Sequence, residues 1–153
     1  MIKRTSIAAL SLSAAALVGI ATHEGYAGRA YRDIVGVLTI GFGTTAGVKP
    51  GDQIDPVTAL QRKLADVQRF EGALRQCVTV PLHQHEYDAF LSLAYNIGPG
   101  AFCGSTLVRK LNAADYPGAC AEILRWNRAG GRVVQGLSSR RQAEYRQCMG
   151  PAQ

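Results

Sequence analysis

Between Val37 and Gly43, large apolar residues occupy every second position from Leu38 to Phe42, which is the pattern of a β-strand with two unlike faces. One face carries the apolar side chains of Leu38, Ile40 and Phe42. Thr39 provides the only hydroxyl of the other face, where glycines allow a large ligand to come close to the backbone. The alternation therefore predicts a strand that forms one wall of a cleft.

Later in the chain the hydrophobic residues recur at the spacing of a helix, so the remainder is predicted to be mainly helical. Asp55 and Pro56 suit the N-cap and first position of a long helix that ends near Cys77. A second helix is predicted over residues 83–97. Shorter helices are predicted over residues 106–111, 116–126 and 139–148.

The composition is that of a globular protein, because 47% of the 153 residues are hydrophobic and 18% are charged. A chain of this length can form one domain with a core. The net charge is +6, which favours polyanionic partners. No Lys/Arg-rich run of the nucleic-acid-binding type occurs, so an acidic cell wall is the expected partner and no nucleic acid is expected.

Two carboxylates, Glu24 and Asp33, precede the strand. Glycines at positions 25, 28 and 36 allow the segment between them to turn back. Cleavage of a glycosidic bond requires such a pair, one group to protonate the leaving oxygen and one to assist attack at the sugar carbon.

A fuller motif surrounds these carboxylates: Glu24, eight residues, Asp33, five residues and Thr39, followed by Ile40-Gly41-Phe42-Gly43. It closely resembles the catalytic segment of the phage-type lysozymes, the endolysins of glycoside hydrolase family 24. By that resemblance Glu24 is the general acid, Asp33 acts on the opposite face of the sugar, and Thr39 holds the attacking water. The residues alone leave open a hairpin whose acids are solvated turn residues.

The resemblance implies a lysozyme-like α+β fold, mainly helical, with a small β-hairpin lobe and a helical lobe joined by a long helix. The implied boundaries within the catalytic domain of residues 24–153 are 24–55, 56–80 and 81–153. The implied reaction is hydrolysis of the β-1,4 bond between N-acetylmuramic acid and N-acetylglucosamine in peptidoglycan, with inversion, which lyses the host cell. Neither metal nor cofactor is expected, because proton transfer and water supply the chemistry. A monomer is expected.

Residues 5–22 form a run of 18 uncharged residues behind Lys3 and Arg4. At about 1.5 Å per residue, a helix of this length matches the hydrocarbon core of a bilayer. The run is only weakly apolar, because it contains six alanines, three serines, two threonines and a glycine. Three interpretations stay open: a cleaved signal peptide, a permanent anchor, and a weak anchor that later leaves the membrane.

The position of Glu24 favours retention of this segment. Cleavage after Ala21 would leave the candidate acid three residues from a new terminus, whereas catalysis requires a fixed geometry. A retained helix that ends near Glu24, with Gly25 as its C-terminal cap, would hold the acid at the negative end of the helix dipole.

An apolar N-terminus that runs directly into the catalytic Glu resembles the signal-arrest-release endolysins. That resemblance makes residues 1–23 a signal anchor, in which residues 5–22 tether the enzyme transiently to the inner membrane and then join the fold. Lys3 and Arg4 would stay cytoplasmic. The expected location is the periplasm of a Gram-negative host, with peptidoglycan as the partner.

The motif Ala94-Tyr95-Asn96-Ile97-Gly98 resembles the sugar-binding motif of the phage-type lysozymes. The resemblance implies that Tyr95 stacks on a sugar and that Asn96 hydrogen-bonds to it. Core packing by Tyr95 and helix termination by Asn96 fit the same residues.

Gly136-Leu137 followed by Arg140-Arg141 resembles the region in which the family places an arginine that pairs with the catalytic Glu. Arg140 or Arg141 is therefore a candidate ion-pair partner of Glu24, and surface positions are the alternative. Thr44 departs from the family, because several members carry His after the Gly-x-Gly. The departure removes a buried ion pair.

The four cysteines lack the Cys-x-x-Cys spacing of zinc or thioredoxin-like sites. With an export signal in front, disulfides are expected, and four cysteines permit three connectivities. We favour the pairs that join adjacent segments, Cys77 with Cys103 and Cys120 with Cys148. His83 and His85 are expected to face different sides of a helix, so no metal site is predicted.

Two other functions fit parts of the chain. One is a non-catalytic cationic protein that binds the wall or perturbs membranes through residues 5–22, and the other is a lytic transglycosylase. Binding alone needs no trio of Glu24, Asp33 and Thr39. A transglycosylase forms an anhydro sugar and needs no water-holding Thr39, so hydrolysis is the favoured reaction.

Overall fold

A computed structural model of the protein describes residues 2–151. It is mainly helical with two small antiparallel sheets, which confirms the predicted α+β class. Contacts divide the chain into two compact units. We call residues 14–69 the Glu24 unit, and the described residues before 14 and after 69 the helical unit.

The Glu24 unit begins with a helix, continues with a hairpin and includes most of the long helix. These elements are α1 (Ala14–Glu24), β1 (Ala27–Arg32), β2 (Leu38–Gly41) and α2 (Pro56–Cys77), of which residues up to 69 belong to this unit. β1 and β2 are antiparallel, and Tyr31 lies opposite Thr39. The buried apolar side chains of this unit include Ile20, Ile40 and Val67.

The predicted strand from Val37 to Gly43 is too long, because β2 ends at Gly41. Gly41 (φ +65°) and Gly43 (φ +87°) adopt left-handed conformations that favour glycine. They turn the chain back, so that Ile40 and Thr44 exchange two backbone hydrogen bonds of 2.9 and 3.0 Å. Alternation does not reveal this turn, because glycine suits a bare strand face as well as a tight turn.

The helical unit contains the end of α2 and further helices packed around α3. These helices are α3 (Gln84–Ile97), α4 (Pro99–Cys103), α5 (Thr106–Asn112), α6 (Tyr116–Glu122) and α7 (Gln135–Met149). Every residue of α3 from Glu86 to Ala94 is buried, so this helix is the core of the unit. A second hairpin, β3 (Arg128–Ala129) with β4 (Arg132–Val133), precedes α7.

The predicted helices agree with α2, α3, α5 and α7 to within four residues at each end. The predicted helix over 116–126 is wrong in its second half, because α6 ends at Glu122 and the chain tightens into a 3-10 turn at Ile123–Arg125. The expectation for the two histidines is also wrong. His83 is the N-cap of α3 and lies outside the helix, so its ring stacks on that of His85 with centroids 5.3 Å apart.

The apolar N-terminal run is not one continuous helix in the structure. Residues 2–13 belong to the helical unit and contain a short 3-10 helix at Ile7–Ala9, whereas α1 starts only at Ala14. Within residues 2–151, no helix has both the length and the apolar character needed to span a membrane.

Three buried carboxylates of the helical unit bind this N-terminal segment: Glu71, Glu86 and Asp88. Arg4 donates to Glu86 at 2.7 Å, and this hydrogen bond raises the pKa of the Arg4 guanidinium. The Ser13 hydroxyl donates to Asp88 at 2.7 Å, and the Leu12 amide donates to Glu71 at 2.7 Å. Residues 2–13 are thus held by specific polar contacts.

Two disulfides lie in the helical unit. They join Cys77 to Cys103 and Cys120 to Cys148, the same pairs that the sequence analysis favours. The first links the end of α2 to α4, and the second links α6 to α7. Each bridge closes a loop of more than twenty residues, which restricts the unfolded chain and stabilises this unit.

Candidate active site

Glu24 is the last residue of α1, and Gly25 ends the helix as predicted. Gly25 adopts φ +72°, and its amide donates a 3.1 Å hydrogen bond to the carbonyl oxygen of Ala21. The Glu24 side chain therefore leaves the helix where its negative partial charge is concentrated. Glu24 is exposed, so a substrate can reach its carboxyl group.

The turn after β2 lies against the carboxyl group of Glu24. A Cβ atom added to Gly43 would lie 3.3 Å from Oε2 of Glu24, and the backbone there is left-handed. A side chain at position 43 would therefore crowd the candidate acid, whereas glycine leaves it room. This contact brings Glu24 next to the hairpin that carries Asp33 and Thr39.

Asp33 follows β1 and begins the turn to β2. Its Oδ1 accepts backbone hydrogen bonds from Val35 at 3.0 Å and from Val37 at 2.8 Å. The Asp33 amide in turn donates to the carbonyl of Val37 at 2.9 Å. The backbone of the turn therefore fixes this half-buried carboxyl group.

Thr39 lies on β2, where it is only 4% exposed. The expected bare strand face is thus covered at this position. The Thr39 hydroxyl donates a 3.0 Å hydrogen bond to the carbonyl of Val37. Because its proton is used in this way, its oxygen is oriented to accept a hydrogen bond, as holding a water molecule requires.

Thr44, the position at which several phage-type lysozymes carry His, makes a buried contact of its own. Its hydroxyl donates to Oδ2 of Asp66 on α2 at 2.6 Å, and the side chain is 3% exposed. A hydrogen bond to a charged acceptor is among the stronger kinds. This bond attaches the turn after β2 to the long helix and so supports the position of Gly43 beside Glu24.

The predicted sugar-binding residues belong to the helical unit. The half-buried Tyr95 ring meets Phe70 edge to face, with centroids 5.0 Å apart. The exposed Asn96 accepts a 3.0 Å hydrogen bond from Arg141 through its side-chain oxygen. Each side chain is therefore held in place by a neighbour within its own unit.

Arg140 and Arg141 are buried in the helical unit, which excludes the alternative that they are surface residues. Both bind Glu144 on the same helix, Arg140 at 3.2 Å and Arg141 at 2.7 Å. Burial lowers the pKa of the Arg141 guanidinium, and the charge of Glu144 opposes this effect. Glu144 also accepts a 2.7 Å hydrogen bond from Ser92 of α3.

Sequence reasoning does not identify Asp66 or Glu144 as parts of these networks. It also does not identify Lys63, whose Nζ would lie 3.7 Å from a Cβ atom added to Gly43. The arginines precede Glu144 by three and four residues, a spacing that signals pairs within a helix. Lys63 and Asp66 carry no such signal, since charged residues on a long helix are usually solvated. Across residues 2–151, no group of three or more His, Cys, Asp or Glu side chains is arranged to hold a metal ion.

Comparison with known proteins gives one family. The sequence model described as phage lysozyme matches residues 21–144. The chain is 41% identical over 143 residues to the SAR-endolysin of Pseudomonas phage phiKMV, covering 91% of this chain and 89% of that protein. It is 32% identical over 148 residues to the SAR-endolysin of Bacteriophage PS34, covering 92% and 87%.

The fold is similar to that of solved endolysins. The endolysin from Escherichia coli O157:H7 phage FAHEc1 matches with a TM-score of 0.86 at 35% identity. The match covers 93% of this chain and 95% of that one.

Proposed function

The chain belongs to the phage lysozyme family, and from this premise we propose that Glu24, Asp33 and Thr39 carry its reaction. The protein is a muramidase that hydrolyses the β-1,4 bond between N-acetylmuramic acid and N-acetylglucosamine in peptidoglycan and thereby lyses the host cell. The main support for these roles is that the Glu24 carboxyl group lies against the turn that follows β2.

In the proposed mechanism, Glu24 gives its proton to the glycosidic oxygen, and the bond from that oxygen to the sugar carbon breaks. Asp33 accepts a proton from water on the opposite face of the sugar, so that the water oxygen bonds to the carbon. Thr39 accepts a hydrogen bond from that water and holds it for attack. Proton transfer and water account for the products, so this mechanism needs no metal or cofactor.

The non-catalytic wall-binding or membrane-perturbing function is not favoured, because the family is one of hydrolases. A transglycosylase is distinguished by its product. We expect mass spectrometry of digested peptidoglycan to find muropeptides that have gained one water molecule. Anhydro-muramic ends as the main product would contradict hydrolysis and remove the need for a water at Thr39.

Tyr95 and Asn96 remain the proposed contacts to the sugar chain. The edge-to-face packing of Tyr95 on Phe70 supports this role, since a fixed ring loses little freedom when a sugar stacks on it. A pair between Glu24 and Arg140 or Arg141 also remains a proposal. It is supported by the resemblance of the region from Gly136 to Arg141 to the region where the phage-type lysozymes carry such an arginine.

We also propose that the protein is exported to the periplasm of a Gram-negative host, where residues 5–22 tether it transiently to the inner membrane. The names of two relatives as SAR-endolysins support this proposal. The contacts of Arg4 with Glu86 and of Ser13 with Asp88 support retention of the segment, because cleavage after Ala21 would remove both. The proposed enzyme acts on peptidoglycan as a monomer.

Retention has a direct test. We expect amino-terminal sequencing of the active periplasmic protein to find residues 2–13 still present, since their contacts with buried carboxylates belong to the folded helical unit. Gel filtration of the same material gives the oligomeric state. A periplasmic protein that begins at Thr22 would contradict retention.

A further inference from the structure

Lys63 is a fully buried lysine on α2 that the mechanism above does not use. Its relative exposure is 0%. An ammonium group is strongly hydrated in water, so burying one costs free energy that the fold must recover elsewhere. A buried charge near a reactive carboxyl group is a candidate for a functional role.

The Lys63 ammonium and the Glu24 carboxyl group lie beside the same backbone position. A Cβ atom added to Gly43 would lie 3.7 Å from Nζ of Lys63 and 3.3 Å from Oε2 of Glu24. Nζ of Lys63 and Oε2 of Glu24 are therefore within about 7 Å of each other, a range over which charges in a protein interact appreciably. All three residues belong to the Glu24 unit.

Two features keep this arrangement in place. Gly43 has no side chain to separate the two groups, and its left-handed backbone turns the chain toward α2. The hydrogen bond of 2.6 Å from Thr44 to Asp66 then attaches the next residue to α2, one helical turn beyond Lys63. The turn, the acid and the lysine thus form one local cluster.

We propose that Lys63 is a positioning residue for the muramidase reaction, whose positive charge stabilises the negative charge that develops on Glu24. The proposal rests on the proposed role of Glu24 as general acid. As Glu24 releases its proton to the glycosidic oxygen, its carboxyl group becomes a carboxylate, while the electron pair of the broken glycosidic bond stays on the leaving oxygen. A cation already fixed beside the acid stabilises that charge without reorganisation.

Lys63 is expected to affect the chemical step of the reaction and not the binding of substrate. In its proposed role as general acid, Glu24 acts from its protonated, neutral form, with which a nearby cation interacts only weakly. In the transition state the carboxylate is partly formed, and the attraction is stronger. Stabilisation present only in the transition state changes kcat and leaves KM nearly unchanged.

Lys63→Met in the full-length protein tests this proposal with soluble glycan chains as substrate. We expect kcat to fall about tenfold to a hundredfold, with KM within about twofold of wild type. The melting temperature is recorded for each variant, because removing a buried charge changes stability as well as catalysis. Lys63→Arg keeps the charge and should retain more of kcat than Lys63→Met does.

Arg69→Met is the matched control, because it removes the same charge from the same helix at a side chain that is 68% exposed. Its kcat should stay within about twofold of wild type, since exposed charges are screened. In a Glu24→Gln background, Lys63→Met should cause no further loss, because no carboxylate then forms at position 24.

The outcomes separate the two proposals. If Glu24→Gln keeps wild-type activity, the proposed role of Glu24 fails. If Glu24→Gln is inactive while folded Lys63→Met keeps its kcat, the role of Lys63 alone is overturned. It is also overturned if Arg69→Met lowers kcat as much as Lys63→Met, or if Lys63→Met loses kcat only together with its folded structure.

Discussion

Replacing Glu24 by Gln is expected to reduce the rate of cell-wall hydrolysis by about a hundredfold to ten-thousandfold, because the amide has no proton of suitable acidity to give to the leaving oxygen. Glu24 is exposed at the end of α1, so the isosteric change should leave the fold intact. The measurement is the clearing of outer-membrane-permeabilised Gram-negative cells by purified protein, with the melting temperature recorded for both proteins.

Glu122→Gln is a suitable control for this experiment. It removes a carboxylate of the same residue type from the helical unit, where Lys110 and Arg125 pair with it and hold the pKa of Glu122 below its usual value. The control should clear cells at close to the wild-type rate. If Glu24→Gln also clears cells like wild type, killing proceeds through the membrane or through binding, and the proposed chemistry is wrong.

The local structure around the candidate acids is predictable from the sequence because these residues lie in one contiguous segment. Glu24, Asp33 and Thr39 fall within a single helix end and a single hairpin, so local rules for caps, turns and strands position all three. Gly25 illustrates this, since its role as a helix-ending residue follows from its neighbours alone.

The long-range contacts are not predictable in this way. Lys63 is an ordinary charged position in an amphipathic helix until the left-handed turn at Gly41 and Gly43 brings the chain back against α2. Period-two alternation continues through both glycines and so gives no sign of that turn.

The N-terminal run of residues 5–22 also has long-range contacts that its sequence pattern does not reveal. Its lack of charged residues suggests one helix over residues 5–22, but the structure starts α1 only at Ala14. The preceding residues are held by Glu71, Glu86 and Asp88, which lie far along the sequence. A pattern within the segment carries no information about partners that are brought to it only by folding.

Replacing Asp33 by Asn is expected to lower the hydrolysis rate by about a hundredfold or more while the hairpin stays folded, because Asn cannot accept the proton of the attacking water. The turn depends on Oδ1 of Asp33, which accepts the amides of Val35 and Val37. An Asn side chain keeps an oxygen in this position, so the variant removes the charge and retains the turn. Initial rates on soluble glycan chains and the melting temperature give the two effects separately.

Two companion variants decide between catalysis and turn structure at position 33. Asp33→Ala removes both the charge and the acceptor, so it should lose activity and also about 0.5 to 1.5 kcal/mol of stability as the two exposed amides lose their partner. Asp52→Asn is the matched control, because the Asp52 carboxylate accepts a 2.8 Å hydrogen bond from the Lys49 amide in the next loop of the same unit.

If Asp33→Asn hydrolyses glycan chains as fast as Asp52→Asn and wild type, Asp33 is a solvated turn residue. The water at Thr39 would then need another base. If only Asp33→Asn is slow, and its melting temperature is that of wild type, the negative charge at the tip of β1 is what the reaction requires.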